Sequence, residues 1–137
     1  MPVRRLAVLL AVLAAFAAAA TATAEAKQLV RYTVGGGLAG LNGALTVTGD
    51  GTAHQTGNRS GDDHRFMLSA KQLRGLRRDL KHARFKTLKR SYEPKHVVND
   101  GIGQSVTYKG RSVSVSTGAT YPDRLHRLLR RLGGLMR

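Results

Sequence analysis

The chain has 137 residues, no Cys, and 23 Lys and Arg against 8 Asp and Glu, a formal net charge of +15. Without Cys there is no disulfide framework, no thiol nucleophile and no cysteine for lipid attachment. So few acids make paired-carboxylate glycoside chemistry a poor fit, and without Cys or an HExxH run no zinc motif is present.

In chain order, Arg4 and Arg5 precede a charge-free run from Leu6 to Ala20. Ala22-Thr23-Ala24 and Ala24-Glu25-Ala26 then place small residues where a signal peptidase cuts. This is the order of a secretory signal peptide. A membrane span needs about 20 apolar residues, and this run is shorter, Ala-rich and followed at once by cleavage-like residues. Residues 1–26 are therefore expected to be removed, at Ala24 or Ala26, and the protein to be secreted. Residues 27–137 form one expected domain, with 21 bases against 7 acids once Arg4, Arg5 and Glu25 are gone, a balance of +14. A domain of this length buries roughly two-thirds of its unfolded surface and folds alone as a monomer.

Gln28 to Val34 reads as a first strand, and Gly35 to Gly40 as a flexible loop. Ala44 to Thr48 alternates apolar and polar residues, and Gly49-Asp50-Gly51 predicts a tight turn into Thr52 to Gln55. Thr56 to Asp63 is a polar loop or a frayed strand end, and Arg65 to Leu68 returns to the sheet. Ser69 with Gln72 forms a capping box. Leu73, Leu76, Leu80 and Ala83 recur at helical spacing after it. Gly75 weakens this helix by about 1 kcal/mol relative to Ala, which suggests a close packing point. Phe85 and Leu88 close over the helix end, and Lys89 to Gly101 is irregular. Gln104 to Tyr108 and Arg111 to Ser116 form two strands. Thr120, with Asp123 as its capping partner, opens a last helix whose apolar stripe is Leu125, Leu128, Leu129 and Leu132. Gly133-Gly134 is expected to stop it. The fold class is α+β: a four- to six-stranded, largely antiparallel sheet with two amphipathic helices packed on one face.

No catalytic constellation stands out. Ser60 to His64 contains Ser, Asp and His, but triad members come from different segments. The Gly35–Gly40 loop leads into a strand, whereas a phosphate cradle opens a helix. The bases are more informative. Arg74, Arg77, Arg78 and Lys81 lie on the first helix, and Arg127, Arg130 and Arg131 on the second. With the Leu stripes turned to the sheet, these bases face outward. They form either a polyanion-binding surface for envelope polymer or nucleic acid, or a solvated face. No Trp and few rings leave little for base stacking. No metal or cofactor is expected.

Gly36-Gly37-Leu38-Ala39-Gly40 between strands, Asp50-Gly51, and Phe66-Met67-Leu68-Ser69 leading into Leu73-Arg74-Gly75-Leu76 make a recognisable series. Phe85, Asp100 before Val106-Thr107-Tyr108, and Tyr121-Pro122-Asp123-Arg124-Leu125 complete it. From Leu29 to Leu132 the chain resembles the emfourin-type family of small bacterial inhibitors of thermolysin-like metalloproteases. The resemblance implies an α+β fold and inhibition of a metalloprotease without catalysis, and the signal peptide makes a secreted metalloprotease the expected partner. The signal peptide and the charge depart from the type case. The expected contact is the segment Gly36, Gly37, Leu38, Ala39, Gly40 and Leu41, which offers two leucines on a backbone without bulky neighbours. A core position for Leu38 and Leu41 is the competing expectation.

Overall fold

A computed structural model describes residues 26–58 and 63–136. Apart from Ala26, the expected signal peptide lies outside them, as do Ser60 and Asp62. Four strands come first: β1 (Gln28–Gly36), β2 (Leu41–Thr48), β3 (Thr52–Gly57) and β4 (His64–Met67). Helix α1 (Ala70–His82) and a 3-10 turn (Phe85–Thr87) follow. Then come β5 (Ser91–Tyr92), β6 (Ile102–Tyr108), β7 (Arg111–Ser116) and α2 (Asp123–Leu135).

The strands form one seven-stranded sheet in the order β4-β3-β2-β1-β6-β7-β5. Every pairing is antiparallel except β5 with β7. The α+β class therefore holds, with more strands than the four to six expected. The sequence reading missed β5, because a two-residue strand inside a Pro-containing segment leaves no period to read. It also ended β1 two residues early and started β2 three residues late. Glycines that look like loop residues here carry the ladder on to Gly36 and Leu41.

Alternation on the strands puts Val30, Tyr32, Leu45, Val47, Val106, Val113 and Val115 in the core. Tyr32 lies opposite both Leu45 and Val106. Leu76 and Leu80 of α1 and Leu125, Leu128, Leu129 and Leu132 of α2 join the same cluster, so both helices cover one face of the sheet. Phe85 and Leu88 close its end, as expected. None of the helices among the described residues is long and apolar enough to cross a membrane.

The Ser69 capping box forms: Gln72 N–H donates to Ser69 Oγ at 3.1 Å, and Ser69 N–H to Gln72 Oε1 at 2.8 Å. The Thr120 cap does not. The N-cap is Pro122, without a side-chain hydrogen bond. A residue before proline is pushed out of the helical region, so Tyr121 cannot join the helix and Thr120 falls outside it. Gly133 and Gly134 do not stop α2 either, since it runs on to Leu135. Two helical glycines cost about 2 kcal/mol relative to Ala. Burial of Leu135 returns a similar amount, about 1.5–3 kcal/mol.

Gly75 is the close packing point. A Cβ there would meet Nη1 of Arg131 at 2.7 Å. The guanidinium of Arg131 lies across this gap and pairs with Asp79, which is only 3% exposed.

Candidate functional site

The β1–β2 hairpin tip is built from its glycines. Gly36, Gly37 and Gly40 have positive φ angles of 110°, 79° and 59°. Gly40 N–H donates to Gly37 O at 3.0 Å and closes the turn. Side chains other than glycine adopt these angles at a cost. At Gly36 space is also short, since a Cβ would stand 2.6 Å from Gly101 O.

Two polar side chains brace the tip from separate segments. Asp100 accepts the N–H of Leu38, and Gly101 O accepts that of Gly37 at 3.2 Å. On the other side, Asn58 donates from Nδ2 to Gly40 O at 2.7 Å and accepts Asn42 N–H at 3.3 Å. With its backbone occupied in this way, the Leu38 side chain projects outward and is 90% exposed. Ala39 is also exposed. Leu41 is half-buried and paired with Gly36 in the ladder. The two leucines therefore divide: Leu38 belongs to the tip and Leu41 to the sheet.

Because Asp100 and Gly101 hold the tip, the 97–101 turn lies beside it. Gly101 N–H donates to Val98 O at 3.1 Å. Val97 is 89% exposed and Val98 is also open to solvent. Leu38, Val97 and Val98 are three of four large apolar side chains left exposed among the described residues, Met67 being the other. A groove of about 420 Å³ runs along the turn, lined by Pro94, Val97, Val98, Ile102 and Thr117. Glu93 anchors its far side, accepting from Ser91 Oγ at 2.6 Å and Ser116 Oγ at 2.7 Å. Those two hydroxyls hold its carboxyl below the usual glutamate range, the Ser91 bond first. The sequence reading named the tip but neither Asp100 nor Asn58 as part of it. The Asn99-Asp100-Gly101 turn signature was the available clue, but nothing local says that it meets a loop sixty residues earlier.

The seven basic helix residues do not act as one set. Arg77 donates from Nη2 to Gly49 O at 2.6 Å, tying α1 to the β2–β3 turn. Arg131 is engaged with Asp79. Arg78 has its Nε 3.9 Å from Asp79 but remains open to solvent. Arg74, Lys81, Arg127 and Arg130 are exposed. The expectation that all seven face outward fails at Arg131, which turns in to the buried Asp79, whereas Arg77 is exposed even though it ties to the turn. Two further arginines outside that set are also internal ties. Arg124 caps the end of α1 through Ala83 O at 3.0 Å, and Arg111 donates to Leu88 O at 2.7 Å.

Among the described residues, no three His, Asp or Glu side chains converge as metal ligands. His54 pairs with Asp63 at 2.9 Å, and His64 stacks on Phe66. No model of a known protein family matches the chain, and no characterised protein matches it in sequence.

Proposed function

We propose that this is a secreted, monomeric protein that inhibits a thermolysin-like metalloprotease by docking the Gly36–Leu41 hairpin tip into its cleft. One observation carries the reading: Leu38 stands almost fully exposed on a tip whose backbone is hydrogen-bonded from two sides. A bulky apolar side chain on a braced turn suits a cleft that accepts such side chains. Bracing also lowers the ordering cost of binding. Val97 and Val98 extend the apolar contact beside the tip. The resemblance carried by Gly36 to Gly40, Asp50-Gly51 and Tyr121 to Leu125 supports the same reading.

The test is inhibition of thermolysin-like enzymes by the wild type, Leu38→Asp and Val97→Asp. Leu38→Asp is expected to abolish inhibition with circular dichroism and Tm unchanged, because the side chain touches nothing that the fold needs. Val97→Asp is expected to weaken it. Leu41→Asp is expected to lower Tm as well, since Leu41 is half-buried in the ladder. Full inhibition by Leu38→Asp would remove the tip from the contact. A wild type inert against several such proteases would remove the function.

A further inference from the structure

A second concave site lies at the end of the sheet where β6 turns into β7. It is a groove of about 390 Å³, within the range of small-molecule sites. Its floor is apolar: Leu80, Phe85 and Tyr108, with the two rings 5.3 Å apart and tilted by 59°. Its rim is cationic: Lys81, Arg84, Lys86, Lys109 and Arg111. No acidic residue lines it. None of these five bases makes an ion pair among the described residues, although the molecule uses Asp79 and Asp63 for pairs elsewhere. Nζ of Lys109 sits 5.3 Å above the Tyr108 ring. The Nε of Arg111 is buried without a hydrogen-bond partner.

The backbone adds an independent observation. Arg84 and Lys109 are the non-glycine residues with positive φ among the described residues, at 51° and 50°. Arg84 follows the C-cap of α1, and Lys109 opens the two-residue β6–β7 turn. Both are positions where glycine or asparagine is the low-energy choice. A side chain in this region costs about 1–2 kcal/mol. The chain accepts that cost twice, each time to place a cation, and both cations border one groove. Strain of this kind gathers at ligand sites.

We propose that this groove binds a small organic anion: a phosphate- or carboxylate-bearing molecule whose aromatic ring or short acyl chain lies on the Phe85–Tyr108 floor. The floor supplies apolar contact, and the rim supplies charge-assisted hydrogen bonds to the anionic group. The helix bases Arg74, Arg127 and Arg130 do not line it. The site is also separate from the hairpin tip, so it stands or falls independently of protease inhibition.

The experiment is a fluorescence titration of the purified protein with 1-naphthyl phosphate, with inorganic phosphate as competitor. The expected result is saturable one-to-one binding, at least tenfold tighter than inorganic phosphate. Lys86→Glu should weaken it about tenfold. Arg84→Gly and Lys109→Gly should each weaken it several-fold while Tm stays level or rises, because glycine relieves the positive φ. Arg74→Glu with Arg130→Glu should leave it unchanged. No saturable binding, equal affinity for inorganic phosphate, or unaltered binding in Lys86→Glu and both glycine variants would each overturn the proposal. So would loss of binding only in the Arg74→Glu, Arg130→Glu variant, which would assign the probe to the helix faces.

Discussion

Individual arginines in this protein differ by what they can reach. Arg131 and Arg130 are neighbours on one helix with the same chemistry. Arg130 stands in solvent. Arg131 crosses the space left by Gly75 and pairs with Asp79, which is 3% exposed. Removing Arg131 leaves a buried carboxylate whose nearest remaining base is Arg78 at 3.9 Å. Breaking a buried pair in this way costs about 3–5 kcal/mol, and the partial exposure of Arg131 places the expected loss near the lower end. Arg131→Ala should therefore destabilise the protein by about 3 kcal/mol in urea denaturation, and Arg130→Ala by less than about 0.5 kcal/mol. Equal effects would mean that the pair contributes nothing. This difference was only half legible in the sequence. Periodicity places both residues beside the Leu stripe and says nothing about a gap in the opposing helix. Gly75 was legible as a packing point, but an arginine as the group filling it was not.

Element by element, the helices were the most readable parts, because their Leu spacing and the Ser69–Gln72 box are local signals. Leu76 and Leu128 are fully buried in the middle of those stripes. Leu76→Ala and Leu128→Ala should each cost about 2–5 kcal/mol by chemical denaturation. Arg127→Ala, an exposed position, should cost less than about 0.5 kcal/mol. Arg77→Ala should cost more than Arg127→Ala, since it removes the tie to Gly49 O. The C-terminal end of α2 was misread for a reason that is not local: Leu135 finds a buried seat, and that seat lies in the tertiary structure. Strand β5 was unreadable for the same reason. It exists because Ser114 N–H finds Arg90 O at 2.8 Å and Glu93 ties Ser91 to Ser116. This contact carries a pH dependence. The hydroxyl bonds lower the Glu93 pKa in the folded state, Ser91 first. Its contribution is thus complete above the ordinary glutamate range, about pH 4.3, and lost as pH falls through the depressed folded value. The protection of Ser114 N–H against hydrogen exchange, relative to the unfolded chain at the same pH, should fall on that acid side in the wild type. Glu93→Gln, with no charge to lose, should show no such step. An identical pH profile in both would remove the role of Glu93.

For the molecule as a whole, the fold class was legible because hairpin turns and helix caps are written in consecutive residues. The candidate site was legible only as one loop. Its second half, the 97–101 turn, arrives through the order of the sheet, in which β1 lies between β2 and β6. That position also governs how the chain must assemble. β1 pairs with β2 across a short hairpin, but its other edge waits for β6, and the Tyr32 to Gln104 hydrogen bond joins residues 72 apart in sequence. Closing so long a loop is entropically costly before its contacts repay it, so the β1–β4 meander should form early and β6–β7 should add late. In stopped-flow refolding, Val47→Ala is expected to slow folding, and Val113→Ala mainly to accelerate unfolding. The reverse pattern would place the nucleus in the second half. Until β6 arrives, a nascent chain emerging from its N-terminus carries the central strand with one edge bare, including Val30 and Tyr32. An unpaired apolar edge invites pairing with another chain. The interval between synthesis of β1 and of β6 is therefore the period in which this protein is most open to misassembly.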